Sequence, residues 1–262
     1  MFNGLSYLED RAVARRSSRF KQTLAGVALV AVLAGLAPTT VLAADCPAQR
    51  EPRIPPSEEP ILNIDKHKKQ LLAYQAGTYG DDIALVIGDA RAHVERRTAE
   101  VKSPAVVLDI DETSLSNWTN IQANNFGFIK GGACTEQPGT ACGFDEWITK
   151  GIAPPIRPTL TFFKAVRAKN VAVFFITGRR TNQREPTLLN LDRAGYEGWA
   201  RLVTRPENDT NRSVTPFKSG ERAKIETAGY TIVANIGDQD SDLAGGFAEC
   251  GFKLPNPFYF ID

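Results

Sequence analysis

The sequence contains only two histidines, His67 and His93, and its four cysteines include no CxxC spacing. This scarcity argues against a metal site built from Cys and His side chains. Lysine and arginine total 31 against 30 acidic residues, so the formal net charge is only +1. A nucleic-acid-binding domain usually concentrates basic residues on one face. We therefore expect no nucleic-acid partner.

Long hydrophobic runs are also missing. The longest one, residues 23–37, has roughly 15 residues, fewer than the ~20 that a membrane-spanning helix needs. It follows an arginine-containing segment and precedes small residues at 41–44, which is the arrangement of a cleavable secretory signal. We predict a signal peptide at residues 1–44 and a periplasmic or secreted mature chain without membrane contact. An uncleaved membrane anchor is the alternative.

The cysteines agree with export, because all of them follow this segment. They are Cys46, Cys134, Cys142 and Cys250. An even number of cysteines in an exported chain favours disulfides, and three pairings are possible. We favour Cys134–Cys142, because the loop between these residues is short and rich in Gly, Pro and Thr. Cys46 would then pair with Cys250.

The remaining chain, 45–262, is long enough to bury one sizeable core. Residues 45–60 are rich in proline and charge and are predicted to form an extended lead-in. Helical patterns at 64–76 and 81–102 come next. From residue 104 onward, short apolar runs (105–108, 171–176, 199–203, 230–236, 252–254) alternate with helical patterns (158–169, 182–194, 218–228). This alternation predicts an α/β fold with a parallel sheet covered by helices on both faces. Residues 112–157 interrupt it and are predicted to be a small inserted lobe over the site.

Two carboxylates follow the first apolar run, in the motif Asp109-Ile110-Asp111-Glu112-Thr113. Acids at the end of a buried strand are costly unless they have a partner. A divalent cation is a suitable partner, because hard cations prefer oxygen ligands. Alone, however, an acid pair after a strand is more often a helix cap.

Three further polar motifs follow later apolar runs or begin helices. Thr177-Gly178-Arg179 can present a hydroxyl and backbone N–H groups to a phosphate. Lys218, at the start of a predicted helix, offers a point charge to a phosphoryl group. Asp238 and Asp242 add acids after another strand. Each motif alone is more often an ordinary turn or surface feature. Because ligands bind beyond the carboxyl ends of parallel strands, their common position favours one site.

In this order, the four motifs resemble the four signature motifs of the haloacid dehalogenase (HAD) superfamily. The flanking sequences Trp147-Ile-Thr-Lys-Gly, Phe217-Lys218-Ser and Ile236-Gly-Asp-Gln-Asp-Ser-Asp resemble its acid phosphatase branch, which includes bacterial class B and C enzymes and plant vegetative storage proteins. The resemblance covers roughly residues 60–255. It implies a HAD-like Rossmannoid fold and an acid phosphatase that acts on small phosphate monoesters. Together with the predicted signal peptide, it indicates an exported enzyme.

The resemblance also implies a role for each motif residue. Asp109 is expected to be the nucleophile, and Asp111 the general acid and base. Thr177, Gly178 and Lys218 are expected to hold the phosphoryl oxygens. The expected cofactor is Mg²⁺, held by the carboxylates of Asp109 and Asp238 and the backbone carbonyl of Asp111. Asp242 is expected to be a further ligand or a supporting acid. Arg179 either contacts substrate or braces its loop.

Two other functions occur on the same fold, namely storage or binding without catalysis, and dehalogenation. A non-catalytic storage or binding protein of the same fold is the main alternative, because some plant members of the branch have lost the nucleophile; Asp109 is present here. A dehalogenase is disfavoured, because such enzymes generally lack an acid at the position of Asp111. Aromatic residues of the lobe, such as Trp118, Phe126, Phe128 and Trp147, either stack on substrate or pack the lobe, and we expect packing for most. Substrate identity and oligomeric state stay open.

Overall fold

The computed structural model describes residues 46–47, 63–134 and 141–261. The predicted signal peptide and most of the proline-rich lead-in lie outside these ranges. Among the residues described, none of the helices combines the length and the apolar character that crossing a bilayer requires.

Five parallel strands form the central sheet of the described chain, in the order β3-β2-β1-β4-β5. The strands are β1 Pro104–Leu108, β2 Ala172–Arg180, β3 Arg201–Arg205, β4 Thr231–Gly237 and β5 Cys250–Lys253. From β1 the strand order runs through β2 to β3 on one side and through β4 to β5 on the other. β1 therefore lies in the centre, and the strand order reverses beside it. In an open α/β sheet such a reversal creates a crevice at the carboxyl ends of the strands. β1 and β4 end side by side there, with Leu108 paired to Ile236.

Helices cover both faces of the sheet, as predicted. They are α1 Ile64–Ala76, α2 Tyr79–Thr98, α3 Trp118–Ala123, α4 Phe144–Lys150, α5 Arg157–Ala168, α6 Arg184–Arg193, α7 Thr215–Thr227 and α8 Asp240–Leu243. Because side chains alternate along a strand, β1 contributes to two cores. Val106 and Leu108 join one cluster with residues of α2 and α5. Ala105 and Val107 join the other, with Ile225 of α7.

Several element boundaries differ from the sequence prediction. Helix α7 begins at Thr215, three residues before Lys218, because Pro216 fits the first helical turn, where no N–H partner is needed. Strand β2 continues through the Thr177-Gly178-Arg179 motif to Arg180, which pairs with Arg205 of β3 across a register shift. The motif therefore lies within the end of the strand rather than after it.

The segment 112–157 follows β1, and its first and last residues lie side by side. The N–H of Ser116 donates to the carbonyl of Pro154, and the N–H of Ile156 donates to the carbonyl of Ser114, both at 2.9 Å. Helices α3 and α4 lie between these two points. The returning chain then starts α5, so the excursion does not interrupt the order of the sheet.

Both predicted disulfides are confirmed, Cys46–Cys250 and Cys134–Cys142. Cys250 is the first residue of the edge strand β5. The disulfide therefore ties the segment at Cys46 to the edge of the sheet. Cys134–Cys142 links two points of the 112–157 segment that are 8 residues apart in the sequence.

The two disulfides are expected to stabilise the fold unequally. They close loops with sequence separations of 204 and 8 residues. Loop-closure entropy gives roughly 5 kcal/mol for the long loop and roughly 2.5 kcal/mol for the short one. In urea unfolding, the free energy of unfolding should thus fall more for C46S/C250S than for the control variant C134S/C142S. An equal or larger loss in the control would contradict the entropic argument.

Candidate active site

The predicted site residues converge where β1, β2 and β4 end. Asp109 follows β1 directly, and its backbone N–H donates to the carbonyl of Ile236 in β4 at 3.0 Å. Asp238 follows β4 in the same way. Burial of both carboxylates is nearly complete, with 6% and 2% of each residue exposed. A shared sheet edge therefore places acids that are 129 residues apart in the sequence around one buried pocket.

Lys218 joins two of the acids. Its Nζ donates to Oδ1 of Asp109 at 2.6 Å and to Oδ1 of Asp242 at 2.5 Å. Lys218 lies in the first turn of α7, and Asp242 lies in α8, so this ammonium group ties two helices to the end of β1. Gly237 permits the close packing, because a Cβ atom there would lie 2.4 Å from the side chain of Asp242.

Among the described residues, the hydrogen-bond partners of Asp238 are all neutral. Thr113 donates to its Oδ1 at 3.0 Å, while Gln239 and Asn256 donate to its Oδ2 at 2.6 and 2.8 Å. These bonds fix the carboxylate, but they supply no positive charge.

The donor set fits a divalent cation. Asp109, Asp238 and Asp242 each offer one carboxylate oxygen, and the three oxygens lie within 4.8 Å of one another. In the part of the chain that the structure describes, Lys218 is the cation that forms ion pairs with this cluster, so three ionised carboxylates would keep an excess of negative charge away from water. Such an excess is costly unless a cation balances it, and oxygen ligands suit hard divalent cations.

The electrostatics of the pocket reflect this crowding. Burial raises the pKa of Asp109 well above its usual range; Lys218 opposes the shift, but neighbouring carboxylates add to it. Burial and the charge of Asp242 raise the pKa of Asp238 to about 7. Burial also lowers the pKa of Lys218, yet the two carboxylates it contacts raise it by more, so Lys218 stays charged. Without a cation, the pocket holds protons that a bound metal would displace.

Asp111 points to a different partner. Arg179 donates from Nη2 to its Oδ1 at 2.7 Å and from Nε to both oxygens at 3.1 Å. Burial raises the pKa of Asp111. The charge and hydrogen bonds of Arg179 lower this pKa by a larger amount, so it lies below its usual value. Arg179 therefore braces the second acid of the first motif; the sequence left this role open.

Thr177 and Gly178 lie beside the acids. Phe175 pairs with Leu108 of β1, so Thr177 is placed next to the turn that follows β1. The Thr177 hydroxyl is buried and accepts the backbone N–H of Arg179 at 3.2 Å, so its oxygen is held by the strand end while a hydroxyl can still donate its own proton. A hydroxyl and a strand-end backbone at this position can bind an anion. The structure thus brings all predicted site residues to one edge of the sheet.

The turn after β1 is tightly organised. The carbonyl of Ile110 accepts the N–H groups of Thr113, Ser114 and Leu115 at 3.3, 2.8 and 2.8 Å. The Ser114 hydroxyl donates to the carbonyl of Asp109 at 2.6 Å. Glu112 adopts a φ of 50°, a left-handed conformation that costs a non-glycine residue about 1–2 kcal/mol. Strain of this kind persists where the surroundings fix the backbone firmly.

Sequence analysis missed the contribution of the C-terminal segment 254–261. Asn256 binds Asp238, and the Tyr259 hydroxyl donates to Oε2 of Glu112 at 2.9 Å. The segment also forms one wall of a cavity of about 370 Å³ that reaches Asp238. Residues 256–261 lie past the range that the resemblance covers, and the Pro-Asn-Pro-Phe-Tyr-Phe sequence has no helical or strand period. Its concentration of aromatic residues was the one available indication.

Most aromatic residues of the 112–157 segment pack against other protein side chains, as expected, although some of these partners lie outside the segment. The ring of Trp118 lies 5.9 Å from Phe126 and 5.0 Å from Phe258, measured between ring centroids. Trp147 is buried and donates a hydrogen bond from its indole Nε1 to Asn117. Phe128 is the exception, with 77% of its surface exposed.

Comparison with known proteins agrees with this geometry. The family model described as HAD superfamily, subfamily IIIB (Acid phosphatase), matches residues 57–262. Acid phosphatase 1 from Solanum lycopersicum is 35% identical over 156 residues, 59% of this chain and 58% of that protein. Vegetative storage protein 2 from Arabidopsis thaliana is 30% identical over 156 residues, 59% of this chain and 56% of that protein. The aligned part thus spans less than two thirds of these relatives.

A solved structure shares the fold. The class C acid phosphatase from Bacillus anthracis superposes with a TM-score of 0.56 at 23% identity, covering 74% of this chain and 86% of that chain. At this level of identity the match supports the HAD-like arrangement of the sheet and helices.

Proposed function

Because the chain belongs to subfamily IIIB of the HAD superfamily, the acid phosphatase family, we propose that it is an exported, Mg²⁺-dependent acid phosphatase. Its substrates would be small phosphate monoesters rather than nucleic acids. One observation carries the proposal. Asp109, Asp238 and Asp242 form a buried carboxylate cluster, and Lys218 bridges two of its members at hydrogen-bonding distance.

Asp109 is proposed to attack phosphorus. A carboxylate oxygen forms a bond to phosphorus while the bond to the ester oxygen breaks, which produces an aspartyl-phosphate. The bound phosphate ester brings negative charge beside Asp111, which opposes the effect of Arg179 and favours the protonated acid, and the proton enters with the phosphate monoanion. Asp111 then gives this proton to the departing oxygen, so the product alcohol leaves neutral. Asp111 is now ionised. It takes a proton from water, which attacks phosphorus, releases inorganic phosphate and restores Asp109.

Thr177, the backbone of Gly178 and Lys218 are proposed to hold the phosphoryl oxygens. Lys218 keeps its charge in the buried pocket, so it can stabilise the negative charge that is spread over these oxygens during transfer. Its contacts to Asp109 and Asp242 fix its position before substrate arrives. Prealigned donors of this kind need little reorganisation during the reaction.

The proposed cofactor site consists of the carboxylates of Asp109 and Asp238 and the backbone carbonyl of Asp111. Asp242 would serve as a further ligand or, through its bond to Lys218, as a supporting acid. A bound Mg²⁺ would offset the repulsion between the nucleophile and the phosphate, both of which are negatively charged.

We further propose a phosphatase domain at 45–262 with residues 112–157 as a cap-like lobe, preceded by a cleaved signal at 1–44. The two disulfides support a periplasmic or secreted location, because disulfides persist in oxidising compartments. Retention at the membrane through an uncleaved signal is the alternative.

A storage or binding protein of the same fold is the second candidate. It is favoured by the similarity to vegetative storage protein 2, and to the stem 28 kDa glycoprotein from Glycine max at 34% identity over 158 residues, 59% of each chain. Retention of Asp109 and its contact with Lys218 argue for catalysis instead.

Phosphate release from a broad panel of monoesters separates the two candidates. With Mg²⁺ present, we expect hydrolysis of several esters, and chelation should lower the rate by at least ~10²-fold, because a metal ion contributes several kcal/mol to such a reaction. Readdition of Mg²⁺ should restore the rate. Failure to hydrolyse any ester would favour the storage protein, and activity unaffected by chelator would contradict the metal site.

A further inference from the structure

Asn117 connects the carboxylates of the first motif to the 112–157 segment. Its Nδ2 donates to Oδ1 of Asp111 at 2.8 Å and to Oε2 of Glu112 at 2.9 Å. On the other side, Nε1 of Trp147, in α4, donates to Oδ1 of Asn117 at 2.8 Å. Asn117 is 1% exposed and Trp147 is 6% exposed, so water does not compete freely for these bonds.

The indole fixes which end of the amide faces the acids. An indole N–H can only donate, so the atom of Asn117 that meets it must be the carbonyl oxygen. The NH₂ group is consequently the one that meets Asp111 and Glu112. If Trp147 were removed, the amide would lose the contact that holds its carbonyl oxygen away from the two carboxylates.

This orientation distinguishes the two oxygens of Asp111. Oδ1 accepts hydrogen bonds from Asn117 and from Nη2 and Nε of Arg179, whereas Oδ2 accepts only the 3.1 Å bond from Nε among the described residues. An oxygen with three donors has little capacity for a proton. Oδ2 is therefore the oxygen that remains available for proton exchange.

We infer that Asn117 and Trp147 are positioning residues that hold Asp111 with Oδ2 directed to the ester oxygen. The inference rests on the proposed function, because it assigns Asp111 the transfer of a proton to the leaving group. Neither residue contacts the phosphoryl group in this account. Trp147 acts through Asn117, and Asn117 acts through Asp111.

The leaving group provides the readout. An alkoxide leaves only with a proton, so an alkyl phosphate depends on Asp111, whereas nitrophenolate is stable enough to leave without one. A misplaced Asp111 should therefore lower kcat/KM, which covers only the steps up to departure of the leaving group, far more for an alkyl ester than for p-nitrophenyl phosphate. A general loss of folded enzyme lowers both values equally, so the ratio of the two kcat/KM values is independent of the folded fraction.

The experiment measures this ratio in wild type, W147F, N117A and the double variant, with D111N as reference. Trp199→Phe is the matched control, because it is the same substitution at a residue that packs on Phe175 of the core and, among the described residues, has no hydrogen bond to Asp111, Asn117 or Arg179. Outer contacts that orient a catalytic group are typically worth 10–100-fold. We expect the alkyl-to-nitrophenyl ratio to fall about 10-fold in W147F and about 10- to 100-fold in N117A, and to stay unchanged in W199F.

The ratio in the double variant should fall no further than in N117A alone. Trp147 acts through Asn117, and the effects of residues in one series of contacts are not additive. An unchanged ratio in both single variants, or equal losses on the two esters, would overturn the inference. Wild-type enzyme that hydrolyses neither ester with Mg²⁺ would instead overturn the proposed function, and the positioning role with it.

Discussion

Replacing Asp109 by asparagine is expected to lower the turnover of an aryl phosphate by at least ~10⁴-fold, because an amide cannot form the covalent intermediate. The fold should survive. Asp109 is a buried acid whose pKa is raised by burial and by neighbouring carboxylates, so removing its charge relieves repulsion. Lys218 keeps its bond to Asp242 in the variant.

Steady-state kinetics with p-nitrophenyl phosphate and thermal unfolding of the same preparation would test this expectation. Asp192→Asn is a matched control, since Asp192 is an exposed residue of α6. The control should behave like wild type in both assays. Substantial activity in Asp109→Asn would show that another residue attacks phosphorus.

The second large effect is expected for Asp238→Asn, which should lower Mg²⁺-dependent activity on the order of 10³-fold, because a metal ion contributes several kcal/mol. Asn has one acceptor oxygen, so it offers a hard cation a weaker ligand without the charge. Mg²⁺ at concentrations that saturate wild type should not restore the rate.

Stability in the presence of chelator should also depend on Asp238. Its pKa is raised to about 7 in the folded chain, against about 3.9 for an unfolded aspartate. The folded state holds this proton more tightly, so its contribution to stability is fully present below about pH 4 and is lost as the pH rises through about 7. Metal-free wild type should thus unfold more easily at pH 8 than at pH 5.

Urea unfolding at these two pH values, with chelator or with Mg²⁺, would check the linkage. In Asp238→Asn the difference between pH 5 and pH 8 should shrink, and Mg²⁺ should stabilise the variant little. In wild type, Mg²⁺ should stabilise most at pH 8, where the carboxylates are ionised. Equal stabilisation of both proteins by Mg²⁺ would place the metal elsewhere.

The sheet was predictable because buried parallel strands are continuous apolar runs, such as 230–236, and the helical patterns between them have a different period. The exact boundaries of the strands and helices were not predictable. Strand β2 extends to Arg180 because β3 pairs with it there, and that pairing is a tertiary contact. The start of α7 could not be predicted, because Pro216 can either end a helix or occupy its first turn, as it does here.

The residues of the candidate site were identifiable because each motif follows an apolar run, and strand ends converge on one edge. Their partners were not identifiable in the same way. Asn117 and Trp147 lie in a segment whose path is set by the pairing of Leu115 with Pro155 and by a disulfide. Asn256 and Tyr259 reach the site because the segment after β5 packs against the residues that follow β4 and β1. Contacts of this kind depend on packing rather than on local pattern.

Chemical trapping of the phosphorylated enzyme tests the central claim most directly. Enzyme quenched during turnover with Mg²⁺ and an aryl phosphate would be reduced with borohydride, which converts an aspartyl-phosphate to homoserine, and then digested for mass spectrometry. We predict modification at Asp109 alone, dependent on substrate and absent after chelation. Efficient turnover with Asp109 unmodified, or with the phosphoryl group on another residue, would contradict the account.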